Sequence, residues 1–193
     1  MFRKYHWSFV LIILLLIFWE IYVRIGFINV RILPPPSHIF EALFSHWNNL
    51  LPHVLQTFLE TVIGFLLATV LGFVTAIFLD ISSKINKTIY PLLIISQTVP
   101  IIALAPLLLL WFGFGILPKI IIVVLYCFFP IAIAGAGGLF QTKKQFMKLL
   151  MSMDATYWQG LVLVRLPSSL PSFFSGLKIA ATYSVAGAIV GEF

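Results

Sequence analysis

Few side chains in this sequence can do chemistry, and their positions are informative. His38, His46 and His53 follow one another at spacings of eight and seven residues. That matches no i, i+4 ligand pair on a helix, so no metal site is expected. Glu20, Glu60 and Lys178 each interrupt a long apolar run. A charge at the centre of a bilayer costs roughly 2.5–3.5 kcal/mol on insertion scales. Glu20 and Glu60 stand near the ends of their runs and can reach polar surroundings. Lys178 lies deeper and must either snorkel to the surface or face other helices. A proton-driven carrier needs deeper carboxylates, and none occurs between Thr61 and Leu79 or from Ile81 to Met153. The chain contains no Gly-x-x-x-x-Gly-Lys-Ser/Thr loop for a nucleotide phosphate. Its six carboxylates are too scattered for a membrane enzyme acting on lipids. No catalytic residue and no resident cofactor are expected.

The elements that must position these groups follow from composition. Of 193 residues, 61% are hydrophobic and 9% are charged, and the mean hydropathy is +1.09. A soluble domain averages about 25% charged residues, and a disordered chain is polar and charge-rich. What remains is an all-α protein with several membrane-spanning helices in a lipid bilayer. The single cysteine, Cys127, permits no internal disulfide and sits in an apolar run, as a buried inert thiol does.

Five stretches are long and apolar enough to span, at about 7–23, 54–79, 89–112, 118–140 and 170–190. The first has a basic start but no small-x-small cleavage site, so it reads as a retained span. Gly113-Phe114-Gly115 reads as a turn between the third and fourth. With the N-terminus in the cytoplasm, Arg3, Lys4, Lys84, Lys87, Lys143, Lys144, Lys148 and Arg165 lie inside. Only Arg24, Arg31 and Lys119 lie outside. This bias obeys the positive-inside rule, so the net charge of +6 reflects topology and implies no nucleic acid. In the outer segment, Leu33-Pro34-Pro35-Pro36 is extended, Ser37 suits a helix N-cap, and His38 to Leu51 is predicted as a surface helix. The chain thus divides into an N-terminal helix with its outer loop (1–53) and a membrane core (54–193) with an inner loop at 141–169.

Small residues matter where helices pack in lipid. Gly64, Ala68, Gly72 and Ala76 repeat every fourth residue, and Gly176, Ala180, Ser184 and Ala188 do the same, which predicts two closely packed helices. Pro100 and Pro106 in the third span and Pro130 in the fourth each remove a backbone hydrogen bond. Gln97 and Thr98 stand beside the first of them. Freed carbonyls must face protein or a watery cavity. These residues, with Lys178, are candidates for a translocation path, although harmless kinks would look the same.

The segment from Gln141 to Pro171 is more than a linker. Phe146, Leu150, Met153, Tyr157, Leu161 and Val164 form one apolar helical stripe, with Lys143, Lys144 and Lys148 at other positions. Asp154 and Gly160 predict two short helices with a bend, ending at Leu166-Pro167. Such a helix either lies on the membrane or docks in a partner's groove.

This segment resembles the inner-loop signature of bacterial ATP-binding-cassette importer permeases: Glu-Ala-Ala, three residues, Gly, nine residues, Ile, one residue, Leu-Pro. Asp154, nine residues, Val164, Arg165, Leu166 and Pro167 keep its tail and spacing. Lys148-Leu149-Leu150 stands where Glu-Ala-Ala is usual, and Asp154 where Gly is. Ala155, Trp158 and Gln159 resemble a Gly-Ala-Ser-x-Trp-Gln variant of one branch, the nitrate/sulfonate/taurine-type permeases. Leu33 to Ser37, Ser96 to Pro100, Ala103 to Leu107, Trp111 to Gly113, Gly176 to Lys178 and Gly191 to Phe193 resemble the same branch. Ser96 to Pro100 and Cys127 to Pro130 look most like permeases for pyrimidine precursors of thiamine or related vitamin-like solutes.

The resemblance implies a homodimeric permease that receives solute from an extracytoplasmic solute-binding protein. Two ATP-binding subunits, which carry the ATP and Mg, would grip the loop through Leu150, Asp154, Ala155, Tyr157, Trp158, Gly160, Leu161, Val164, Leu166 and Pro167. It further implies a sixth span after Gly-Glu-Phe, so a chain ending at Phe193 is expected to be truncated. A remnant that binds the ATPase without transporting is the alternative.

Overall fold

The computed structural model describes residues 6–26, 28–142, 146, 150 and 152–192. It is helical, and no strand occurs among the described residues. Two compact units divide it, 1–55 and 56–193.

In the first unit, α1 (His6–Arg24) is an apolar helix with almost all of its surface exposed, as a helix in lipid requires. The surface helix begins earlier than expected: α2 is Pro36–Ser45, with Pro36 at its first position, where a missing N–H costs nothing. Ser37 is therefore not its cap. Its N–H donates to Glu20 Oε2 at 3.0 Å and its hydroxyl donates to Glu20 Oε1 at 2.7 Å. Glu20 is also held by Arg24, one turn on, at 2.6 Å. The α1 carboxylate thus satisfies an orphan donor at the α2 N-terminus, where negative charge is favoured. The expected helix from His38 to Leu51 is split at His46, because α3 starts at Trp47.

Helix α3 (Trp47–Ile81) is long enough to cross a bilayer with turns to spare. Residues 80–88, expected as a connecting segment, are almost entirely helical. Ser82 alone separates α3 from α4 (Ser83–Ser96), and its hydroxyl accepts from the Lys84 N–H. The third apolar run is a broken one. Helix α4, a 3-10 turn at Ile101–Ala103 and α5 (Ala105–Phe112) are bent by 70° at the Gln97–Pro100 break. Pro106 breaks nothing, since it lies in the first turn of α5. Gly113, at φ 74°, ends α5 in a conformation that favours glycine. Helix α6 (Ile116–Phe140) runs unbroken through Pro130, so the expected interruption of the fourth span is absent.

The two small-residue faces close on α6 rather than on each other. A Cβ added at Gly64 would lie 2.6 Å from the Val123 side chain, and one at Gly72 would lie 2.8 Å from Ile131. One at Gly176 would meet the Pro130 carbonyl at 2.8 Å, and one at Gly187 would meet the Tyr126 ring at 3.0 Å. Helix α6 is therefore the central element, touched by α3 on one side and by the last long helix on the other. Ala68, Val123, Cys127, Ile131, Ala180 and Ala188 form the buried centre, where Cys127 Sγ donates to the Ala180 carbonyl at 3.3 Å. With lipid on the outside, close backbone approach rather than apolar burial drives this packing. Gly64→Leu is expected to force α3 from α6 and cost about 1–3 kcal/mol. Thermal melting of the detergent-solubilised protein reads this loss. Gly115→Ala, with nothing within 4 Å of its added methyl, should melt as the wild type does.

After the loop, α7 (Tyr157–Gly160) passes into a wide π turn (Leu161–Arg165) and then α8 (Leu166–Glu192). The break expected at Gly160 and the stop at Leu166-Pro167 are both absent. The π turn immediately before Pro167 already departs from the i→i−4 pattern that a proline would disrupt. Four helical segments are thus long and apolar enough to span, with the bent α4–α5 pair as a fifth candidate.

Candidate functional site

The four-residue register of α3 continues beyond its small residues at both ends. One step before Gly64 is Glu60, and one step after Ala76 is Asp80, and both are buried. They stand 20 residues apart, about 30 Å along the axis, which is the thickness of a bilayer hydrocarbon core. Each meets a cation from another helix.

At the Glu60 end, Lys119 of α6 lies 3.4 Å from Glu60 Oε1 and 3.8 Å from Glu192 Oε1 of α8. Gln56 donates to Glu60 at 3.0 Å, and Thr57 donates to Glu192. Glu60 Oε2 is buried without a hydrogen bond. Glu192 is itself one step beyond Ala188 in the α8 register, so both small-residue stripes end on a carboxylate.

At the other end, Asp80 Oδ2 accepts from the Arg165 guanidinium and, at 3.0 Å, from the Tyr157 hydroxyl. Here the loop is fastened to the end of α3. Asp154 turns the chain with φ 52°. Thr156 then starts α7 with a capping box: the Gln159 N–H donates to the Thr156 hydroxyl, and the Thr156 N–H donates to Gln159 Oε1 at 2.7 Å. Gly160 is buried, and Leu161 packs with Ala76, Leu79, Ala136 and Leu139 of α3 and α6. Met153, Trp158, Val162 and Leu163 point the other way and are 56–70% exposed. Leu150, Ala155, Val164 and Leu166 are half-buried, and Asp154 and Pro167 are exposed. The stripe expected from Phe146 to Val164 is thus divided, because the turn at Asp154 resets the helical phase. Lys143, Lys144, Lys148 and Leu149 lie outside the described residues.

The α4–α5 bend opens a cavity of about 440 Å³ beside α6 and α8. Gln97, Thr98, Pro100 and Pro130 line it, together with Tyr126 and Tyr183, which the sequence did not single out. Pro106 lies in a different, shallow depression near Phe114. Lys178 is exposed and off the cavity, two residues out of the α8 register.

Sequence reasoning also passed over Asp80, and it counted Arg165 and Lys119 only as topology charges. Extending each four-residue stripe by one step would have flagged Glu60 and Asp80 as buried, and would have placed Glu192 at the end of the α8 stripe.

The family described as "Binding-protein-dependent transport system inner membrane component" matches residues 68–193. The formylaminopyrimidine transport permease protein of Halalkalibacterium halodurans is 38% identical over 182 residues, 93% of this chain and 72% of its own. The riboflavin transport system permease protein of Chloroflexus aurantiacus is 35% identical, over 95% of this chain and 69% of its own. The taurine transport system permease protein of Escherichia coli is 26% identical, over 88% and 64%.

Proposed function

Because the chain belongs to the family of binding-protein-dependent transport system inner membrane components, we propose that it is the permease subunit of an ATP-driven importer for a small organic solute. The chain is a multi-pass membrane protein. In this reading its first helix starts in the cytoplasm of a bacterial cell, and the Asp80–Arg165 end faces inward, where eight of its twelve basic residues then lie. An extracytoplasmic solute-binding protein delivers solute at the Glu60–Lys119 end. Two copies of the chain enclose the path, and two partner ATPase subunits bind and hydrolyse ATP with Mg²⁺.

The observation that supports this reading best is the loop from Asp154 to Arg165. Among its exposed side chains, Trp158, Val162 and Leu163, with Met153 just before it, form an apolar group, while Tyr157, Leu161 and Arg165 root it in α3 and α6. An apolar turn on a rigid base suits insertion into a groove of a partner protein. ATP binding that closes the ATPase pair would carry the rooted loop with it. The core helices follow as a rigid body, because α3, α6 and α8 leave no room between them to slide independently. Nucleotide thereby biases an equilibrium between inward- and outward-open states.

Trp158→Glu tests this, since the side chain is exposed and its replacement leaves the fold intact. Recovery of the co-expressed cognate ATPase with the purified permease should fall at least tenfold, with an unchanged melting temperature. Unaltered recovery would refute the docking role. The solute class named by relatives spans formylaminopyrimidine, riboflavin and taurine, so the reading at this level is a small organic molecule of either the pyrimidine or the sulfonate kind.

A further inference from the structure

Three polar side chains, Gln97, Tyr126 and Tyr183, meet at the α4–α5 bend, where Tyr183 is 46% exposed. Tyr126 stands seven residues beyond Lys119 in α6 and Pro130 eleven, about 10 and 16 Å along the axis, between two ion clusters about 30 Å apart. Tyr183 faces Tyr126 from α8, with ring centroids 6.4 Å apart and tilted by 58°. Among the described residues, the hydroxyls of both tyrosines and the amide of Gln97 make no hydrogen bond. Thr98 donates to the Ile95 carbonyl at 2.7 Å and keeps its acceptor capacity. Polar groups at this depth are not left facing hydrocarbon. They line one cavity of about 440 Å³, within the range of small-molecule sites, about 300–1,000 Å³.

Among the described residues, no charged side chain lines the cavity. A bare sulfonate carried into such surroundings would lose its water and meet no cation. A flat, neutral ring meets what it needs: aromatic faces from Tyr126, Phe129 and Tyr183, and hydrogen-bonding groups from Gln97 and the two phenols. We propose that this cavity binds the transported solute, and that the solute is a neutral, planar nitrogen heterocycle rather than an alkyl sulfonate. The inference rests on the permease reading above and assigns its solute class and site.

The test uses the whole transporter, permease with its ATPase and solute-binding protein, in sealed vesicles. Radiolabelled 4-amino-2-methylpyrimidine and taurine are the probes. Wild-type vesicles should take up the pyrimidine at least tenfold faster than taurine on addition of ATP. In the Tyr126→Phe/Tyr183→Phe double variant, which keeps both rings, and in Gln97→Ala, pyrimidine uptake should fall at least tenfold. Recovery of the ATPase with the purified permease should be unchanged in both, so that the loss is one of the site and not of assembly. Wild-type uptake rates in both variants would overturn the site. Preference for taurine would overturn the class while leaving the permease reading standing. Uptake of neither solute, with no ATP hydrolysis stimulated by the solute-binding protein, would refute that reading too.

Discussion

Asp80→Leu should release the Asp154–Arg165 loop and reduce ATP-driven uptake by at least tenfold. The carboxylate accepts from both Arg165 and Tyr157, and its side chain is 1% exposed. Removing one partner of a buried ion pair costs about 3–5 kcal/mol, because the surviving charge keeps its burial and loses its compensation. Arg165 already has a buried Nε without a partner, so it has little spare hydrogen bonding to fall back on. The loop then has only Leu161 and its apolar neighbours to hold it to α3 and α6. The ATPase should still be captured through Trp158 and Leu163, while the force it exerts is no longer passed to α3. ATP hydrolysis without uptake is therefore the expected signature. Asp80→Leu combined with Arg165→Met should recover thermal stability, because an apolar pair of similar volume carries no desolvation cost, yet it should not recover the full coupling ratio. Asp80→Leu vesicles that transport at the wild-type rate would show that the pair only decorates the loop.

Lys119→Met should lower the melting temperature more than any other single change at the opposite end. Lys119 is the cation for both Glu60 and Glu192, and Glu60 is 1% exposed with one oxygen already unpaired. Without Lys119, Glu60 has only the Gln56 amide at 3.0 Å. The expected cost is again about 3–5 kcal/mol, which for a chain of this size is a fall of roughly 10 °C. Adding Glu60→Gln to Lys119→Met removes the stranded charge and should return most of the loss. Scanning calorimetry of the detergent-solubilised single and double variants checks both. A single variant that melts within a degree of wild type would mean that the triad does not bind the helices together.

The two clusters also explain the spacing of charge along α3. Between Glu60 and Asp80 every residue of the buried stripe is small or apolar. The two charges stand about 30 Å apart, the thickness of a hydrocarbon core, and each is neutralised by a different part of the chain. An ion pair at a boundary needs no water-filled shaft through the core. The mid-depth cavity is correspondingly free of charge, with phenols and an amide in place of ions.

Much of the architecture was legible beforehand, because it rests on local properties. Apolar run length marked the spans. The four-residue small stripes marked Gly64, Ala68, Gly72 and Ala76, all of which are buried against α6. The prolines misled where only position within a helix matters. Pro106 falls in a first turn and Pro130 is carried by a helix packed on both sides, whereas Pro100 does mark the bend. Whether a proline breaks a helix depends on where the helix starts and what supports it, and neither is written in the tripeptide around it.

By itself, the amino-acid sequence determined that this is an all-α membrane protein, which stretches can span, and that the loop before the last span carries a recognisable signature. Hydropathy, helical period and motif spacing are sums over neighbours in the chain, so they need no fold to be read. Only the tertiary structure decided that α6 receives both small-residue faces, that Asp80 holds Arg165 and Tyr157 from 85 and 77 residues away, and that Tyr126 and Tyr183 share one cavity with Gln97. Pairing between distant residues depends on which helices are neighbours and on their rotation. In a membrane, where every span is equally apolar outside, backbone approach at small residues sets both.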